Sequence, residues 1–507
     1  MIRYTILHII GILSAAICCG QDTYVKSFRS FGDTFEFANS IVLKESHIFI
    51  SSRGNCDSNG CAISMKLTND GEIIWKNKHD FIYGGNSNTI FLSGDTLFLA
   101  SYEPWKYPTY NFHLIFIDPH NGNTFDNFIY NYDTLSINGV NTQGMLLFNN
   151  EYLIYGEFRD NEEIASGLIQ WANNKGNPIR TTTYLLPGNF TVNALQDLQP
   201  DGYGNLAFVT VYQDMMFDHT TVIRKLNTDG DVIKDVRIPS NGTLDPRPQL
   251  AVNKAGQYVF SHAKWAPGTV QQLVCTDTLG NILWEQDYPL KIKGQQPSNL
   301  SNDYHINQIT PTSDGGVVIA ARIRTNRIQN RFYDDAYIGK FDQFGTLEWE
   351  RRINIQNGAD TLYDWCALYD IKERPDGKGY VAVGSHKTSE NLSSTNILLV
   401  SLDADGCIEG LACEGDHIVV NTLDVIDLTD EISTSILYPN PFQDQFTIVC
   451  EESALVRISD VSGKMMTIQP VQPGESKIET DGWRPGMYII QIQTSEGKIK
   501  TYKMVKM

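Results

Sequence analysis

Phe341-Asp342-Gln343-Phe344-Gly345, with Trp349 four residues after the glycine, is the stretch on which the fold turns. A short apolar strand runs into Asp342, a tight turn ends at Gly345, and a second strand carries the Trp. The same arrangement recurs as Lys66-Leu67-Thr68-Asn69-Asp70-Gly71 with Trp75, and as Thr276-Asp277-Thr278-Leu279-Gly280 with Trp284. Weaker copies end at Gly122, Gly176, Gly230 and Gly406. The seven glycines stand 51, 54, 54, 50, 65 and 61 residues apart, an average of about 56, which is room for four strands and their loops.

Upstream of several of these turns lies a second recurring piece, a polar turn followed by an alternating apolar strand. Examples are Ser313-Asp314-Gly315-Gly316 before Val317 to Ala321, Pro375-Asp376-Gly377 before Tyr380 to Gly384, and Pro200-Asp201-Gly202 before Leu206 to Val211. Long helical periodicity is absent, and each repeat has four strands that cannot bury both faces alone. The expected fold class is therefore all-β: a seven-bladed β-propeller, with residues 22 to 29 supplying the outer strand of the seventh blade. The turn resembles the blade repeats of quinoprotein-like and Kelch-like propellers; in the former, Trp side chains pack between blades. Here that position holds Asp126, Arg180, Lys234 and Gly410 in the other four repeats, so the resemblance does not extend to a quinone cofactor. A sialidase-type turn fits less well, because its Trp stands three residues after the Gly. Packing between blades is the expectation for Trp75, Trp284 and Trp349.

The 507-residue chain has 59 acidic and 40 basic side chains, a balance unsuited to nucleic acid or an anionic membrane surface. Arg3 precedes an apolar run from Ile6 to Ile17, with Cys18, Cys19 and Gly20 ahead of Gln21. This pattern reads as a signal peptide over residues 1–20. The run is too short for a spanning helix, and Ile17 or Cys18 stands where a lipoprotein signal has Gly or Ala. No later segment is long enough to span a bilayer. Seven cysteines remain after the signal. The close pairs Cys56–Cys61 and Cys407–Cys413 are disulfide candidates, while Cys275, Cys366 and Cys450 are expected as buried free thiols.

From Ile436 onward eight acidic side chains balance eight basic ones, which marks a separate domain. Its landmarks are Tyr438-Pro439-Asn440-Pro441-Phe442, then Gly463-Lys464, then Trp483-Arg484-Pro485-Gly486-Met487-Tyr488, and finally Tyr502 to Lys506 with Lys503 among them. Short alternating strands between Pro and Gly turns predict a small Ig-like β-sandwich. Those residues, in that order, resemble the type A C-terminal sorting domain of type IX secretion substrates in Bacteroidetes-type bacteria. The resemblance implies export by the N-terminal signal, passage across the outer membrane by the type IX machinery, and a final place on the cell surface or outside the cell. The expected organisation is a signal peptide at 1–20, a propeller at 21–420, a linker at 421–435 and the sorting domain at 436–507.

In a four-stranded meander the tight turns gather at one end and the long loops at the other. The long-loop face carries Trp105, Tyr107 and Tyr110, Trp265, the arginines Arg324, Arg327 and Arg331, and His386. Aromatic and Arg side chains on an acidic protein suit capture of an extracellular protein or glycan. A hydrolase or lyase acting on polysaccharide, with acids over the central channel, is the alternative. The adjacent acids Glu162 with Glu163 and Asp334 with Asp335 are expected as solvated surface. No Ser elbow, zinc-type His-Glu-x-x-His or full calcium loop is present, so no catalytic residue, metal or cofactor is expected.

Overall fold

The structure is a computed structural model. It describes residues 23–31, 35–56, 59–79, 89–102, 111–131, 137–160, 165–184, 195, 197–213, 219–239, 248–266, 268–288, 304–328, 331–356, 365–387, 395–408, 411, 417–421, 436–450, 453–460, 464–494 and 499–506. The expected signal peptide and most of the expected linker lie outside them. The chain divides into two compact units, residues 1–427 and 428–507.

The first unit is a series of sheets, each an up-and-down meander in chain order. Sheet I holds Glu36–Lys44, His47–Cys56, Asn59–Thr68 and Ile73–His79; sheet II holds Thr89–Ser93, Thr96–Tyr102, Asn111–Ile117 and Thr124–Asn131. Sheet III is built from Ile137–Phe148, Glu151–Asp160, Ala165–Ala172 and Pro178–Tyr184, and sheet IV from Asp197–Pro200, Leu206–Gln213, His219–Leu226 and Val232–Pro239. Sheet V has Leu250–Val252, Tyr258–Ala266, Gly268–Thr276 and Ile282–Tyr288. Sheet VI has Tyr304–Pro311, Val317–Ile328, Arg331–Phe341 and Leu347–Gln356, with His417–Asn421 added in parallel on its outer edge. Sheet VII comprises Trp365–Glu373, Gly379–Lys387 and Thr395–Asp403, and the N-terminal strand Tyr24–Phe28 pairs antiparallel with the last of these, as expected.

The second and third strands of each sheet are the most apolar and the most buried; Leu97 to Ala100 and Val381 to Val383 are almost inaccessible. This follows from β-branched and aromatic residues covered on both faces. In sheets I to VI the third and fourth strands are joined by the recurring turn, and in sheet VII the same turn follows the third strand. At Asp342 to Gly345 the Asp342 carboxylate accepts from the amides of Phe344 and Thr346, both at 2.8 Å, and Gly345 takes φ of +81°. Asp or Asn caps the turn from within, and glycine tolerates the left-handed backbone.

That glycine has a second role. A Cβ at Gly345 would stand 2.6 Å from the Trp284 ring of the preceding sheet, and one at Gly122 would stand 2.6 Å from Trp75. Trp349 packs on Gly406 in the same way, Phe128 on Gly176, Tyr184 on Gly230, and Tyr24 on Gly71. The ring also donates to the turn it covers: Trp75 Nε1 to Pro119 O at 3.1 Å, Trp284 Nε1 to Gln343 O at 3.2 Å and Trp349 Nε1 to Ala404 O at 3.1 Å. Tyr184 does so through its hydroxyl, to Gly230 O at 2.8 Å. At the junction of sheets IV and V the apolar contact is Val236 on Gly280, and Lys234 Nζ reaches Leu279 O at 2.9 Å.

The expected fold class, a seven-bladed β-propeller followed by a small Ig-like β-sandwich, is corrected to a coarser statement. The protein is all-β, but its main-chain pairing gives separate sheets, none closed into a barrel or propeller. Neighbouring sheets meet through side chains rather than a shared ladder, and sheet VI carries a fifth, parallel strand that the repeat does not contain. The C-terminal unit is a three-stranded sheet, with order Ile436–Tyr438, Gln445–Cys450 and Gly474–Glu479. Beside it is a four-stranded sheet of Met465–Val471, Ala454–Asp460, Gly486–Thr494 and Ile499–Lys506. Cys61 and Cys407 are each disulfide-bonded, and the side chain of Cys56 and all of Cys413, their expected partners, lie outside the described residues. Cys275, Cys366 and Cys450 are buried free thiols.

Gly122→Ala and Gly202→Ala separate backbone strain from loss of the inter-sheet contact. Both residues have positive φ, +78° and +75°, but nothing stands within 4 Å of a Cβ at Gly202. Gly202→Ala carries the backbone penalty alone, roughly 1 kcal/mol, whereas Gly122→Ala must also displace Trp75 and is expected to cost about 1–3 kcal/mol more. Chemical denaturation of the two variants measures the difference. Equal losses would show that the ring does not bear on the turn.

Candidate functional site

The first strands of sheets adjacent in sequence lie side by side, and that of sheet VII lies beside that of sheet I. Between them is a cavity of about 780 Å³ whose wall draws on six of the seven sheets and on Gln249, just ahead of the first strand of sheet V. Four of these first strands are bulged. The pairing register skips one residue between Ala38 and Ser40, Thr142 and Gly144, Ile306 and Gln308, and Leu368 and Asp370. The extra residues are Asn39, Gln143, Asn307 and Tyr369, and every one of them lines the cavity. A bulge gives up a ladder position to re-aim a side chain, so four of them in corresponding strands place three amides and a phenol in one wall.

Two acids in this wall hold neighbouring sheets together. Asp370 accepts from Ile41 N at 2.9 Å and Ser40 Oγ at 3.2 Å, both in sheet I, and from its own Ile371 N and Lys372 Nζ at 2.8 Å each. Asp197 accepts from Leu250 N of sheet V at 3.2 Å, from Gln199 Nε2 at 2.8 Å and from Tyr155 Oη of sheet III at 3.4 Å. Asn307 Nδ2 donates to Leu368 O at 2.5 Å and Thr310 Oγ1 to Ile371 O at 2.7 Å, tying sheet VI to sheet VII. Among the described residues, Asp197 has no cation as close as Lys372 is to Asp370. Burial pushes its carboxyl up to about 6, and the hydrogen bonds from Gln199 and Leu250 only partly offset that rise.

The site residues expected from the sequence are not brought together here. Trp105, Tyr107 and Tyr110 lie outside the described residues. Trp265, Arg324, Arg327 and Arg331 are placed within strands of sheets V and VI, and their side chains are not described. His386 is buried in sheet VII, its Nδ1 2.7 Å from Ser27 Oγ on the N-terminal strand. Asp334 and Asp335 are buried rather than solvated: Asp334 accepts from Trp365 Nε1 at 2.5 Å, and Asp335 from Arg352 at 2.8 Å and Asn354 at 2.6 Å. Among the described residues no group of three or more His, Cys, Asp or Glu is placed to hold a metal ion.

In the C-terminal unit the motif residues split between a core and a surface. Phe442 is fully buried, with Phe446, Tyr488 and Trp483 around it at ring separations of 5.0, 6.2 and 6.5 Å. Asn440 Oδ1 accepts from Val505 N at 2.9 Å, Phe442 N donates to Val505 O at 2.8 Å, and Lys506 Nζ lies 5.6 Å over the Phe442 ring. Tyr438, Pro439, Pro441, Lys464, Pro485 and Gly486 are exposed. Gly463 lies outside the described residues, and Lys503 is placed in the last strand without a described side chain.

Residues 436–507 match the family described as the secretion system C-terminal sorting domain, so a type IX sorting domain is present. No curated protein matches the chain. Among solved structures it is similar to the quinohemoprotein alcohol dehydrogenase of Comamonas testosteroni, with 10% identity and a TM-score of 0.43, over 84% of this chain and 72% of that one. The Pyrococcus horikoshii acylaminoacyl peptidase gives 8% identity and a TM-score of 0.41 over 84% of this chain and 60% of that one. Sqt1 of Chaetomium thermophilum gives 13% and 0.37 over 75% and 98%. Scores this low transfer neither fold nor activity. The expected function, a β-propeller that binds a protein or polysaccharide with a polysaccharide hydrolase or lyase as alternative, rested on a closed propeller and falls with it.

Asp197→Asn tests the buried carboxyl. A folded-state value raised above the unfolded one means that the folded protein binds more protons between the two. Stability from this group is then fully present below the usual carboxylate value and lost as pH rises through about 6. Asn keeps an acceptor oxygen and cannot ionise. The variant should therefore gain on the parent by roughly 2–3 kcal/mol between about pH 4 and pH 7, read from melting curves across that range. A constant difference between the two proteins would show that Asp197 does not titrate there.

Proposed function

We propose that the type IX secretion machinery recognises residues 436–507 and carries the chain across the outer membrane to the cell surface or the medium. The observation that carries this reading is the match of residues 436–507, all but the first residues of the C-terminal unit, to the sorting-domain family. A further feature supports it. The unit has its own core around Phe442, Ile448, Val456 and Ile490, so it is a folded signal and not an unstructured tail. Among the described residues no helix is long and apolar enough to cross a membrane.

The exposed run Tyr438 to Pro441 sits directly on the buried Phe442, and this arrangement holds a short surface strip in one conformation for a receptor to read. Expression of the full chain and of a chain ending at Asp427, in a bacterium that has the machinery, tests the reading. The full chain should appear at the surface or in the medium, and the truncated chain should accumulate in the periplasm. Equal export of the two, followed by fractionation and immunoblotting, would overturn it.

A further inference from the structure

We propose that the cavity between the seven first strands is a binding site for a small, neutral, ring-shaped molecule that carries several hydroxyl or amide groups. This goes beyond export, which concerns only the C-terminal unit. Its volume of about 780 Å³ lies in the range of pockets that enclose a small organic ligand. Volume alone would leave the cavity a by-product of packing. The wall chemistry is what points to a ligand.

Four strands give up a ladder position to present Asn39, Gln143, Asn307 and Tyr369, and the register irregularity falls at the cavity in each case. Apolar side chains would have filled the same space at no cost in ladder bonds. Gln199, Gln249 and Gln308 add three more amides, of which Gln199 donates to Asp197 and Gln308 to Ile309 O. An amide presents both donor and acceptor, so a wall rich in them matches a partner whose own donors and acceptors alternate, as hydroxyls and cyclic amides do. Phe37, Phe91 and Trp365 supply flat apolar faces against which a ring can lie, and the Phe37 and Tyr369 rings already stand 6.0 Å apart.

Charge selects against ions. The wall contains two carboxylates, Asp197 and Asp370, and two lysines, Lys372 and Lys387. Lys372 is paired with Asp370 at 2.8 Å, and both carboxylates are occupied by backbone amides of neighbouring sheets. His305 is the remaining titratable group among the lining residues apart from the phenols. An anionic ligand would find no unpaired cation among these lysines other than Lys387, and the Asp197 carboxyl is already taken up by Leu250 N, Gln199 Nε2 and Tyr155 Oη. A neutral one uses the amides and rings without disturbing the inter-sheet bonds.

The test uses the full chain and ligand-observed NMR with a fixed set of neutral compounds: glucose, N-acetylglucosamine, uridine and inosine. Glucose 6-phosphate and uridine monophosphate serve as charged counterparts. At least one neutral member should bind, and its phosphorylated counterpart, where the set has one, should bind more weakly. Gln143→Leu, and the nearly isosteric Gln143→Glu as a second variant, should each weaken that binding about tenfold or more, the loss expected for one or two buried hydrogen bonds. The melting temperatures of both variants should stay near that of the parent. The proposal is overturned if no neutral member binds, if charged members bind as well as neutral ones, or if binding survives both substitutions.

Discussion

The interaction on which the first unit depends is an apolar side chain from one sheet, a ring at every junction but Gly280, lying on the turn glycine of the next, with a hydrogen bond to that turn from the same ring or a neighbouring side chain. The sheets share no main-chain ladder, so something else must set their spacing. A ring on a glycine does this well, because the absent Cβ lets an indole or phenol approach the backbone closely, and its N–H or O–H satisfies a turn carbonyl that would otherwise be covered without a partner. The pairs run from Tyr24 on Gly71 through Trp75 on Gly122 to Trp349 on Gly406. Trp, Phe, Tyr and Val all serve at the ring position, because the requirement is for an apolar side chain that reaches the turn and not for an indole.

With the outer strands spaced in this way, the inner strands are brought side by side, and their polar side chains have two possible uses. Some are spent on neighbouring backbone, as Asp370 is on Ile41 N and Asp197 on Leu250 N. The acids in this wall act as structural acceptors, and Asp334 and Asp335 behave alike, held by Trp365, Arg352 and Asn354. A buried carboxylate paired in this way is costly to remove, because its loss leaves amides or cations without a partner. The amides of the bulges divide between two uses: Asn307 ties sheet VI to Leu368 O of sheet VII, while Asn39 and Gln143 line the cavity.

The difference between what could and could not be read from the amino-acid sequence follows from the range of each interaction. The turns were legible because their chemistry is local: Asp342 caps amides two and four residues on, and Gly345 supplies the left-handed backbone. Four strands per repeat and the pairing of Tyr24–Phe28 near the chain's far end followed from that spacing. The closed propeller did not stand, because spacing counts strands and says nothing about how sheets join, and the parallel strand His417–Asn421 obeys no repeat. The cavity was illegible for a sharper reason. Asn39, Gln143, Asn307 and Tyr369 sit in strands whose alternation looks ordinary, and a one-residue slip in pairing shows only when the partner strand is placed. The register of His386 was likewise hidden, since its partner Ser27 is 359 residues away.

The C-terminal unit shows the same principle with the distances reversed. Its motifs were legible one by one, yet what they build is non-local: Asn440 and Phe442 at the start of the unit bond to Val505 in its last strand, with 65 residues between Asn440 and Val505. Lys506 completes the arrangement, with its ammonium over the Phe442 ring and a bond to Thr480 Oγ1 at 3.1 Å. The exposed Tyr438 to Pro441 strip therefore has a fixed course only when the final strand is in place. A receptor that reads this strip reads a folded surface, and a chain lacking its last few residues would keep every motif up to Tyr488 while losing the geometry that presents them. The motifs Asn440, Phe442 and Lys506 are thus residues through which the unit closes on itself.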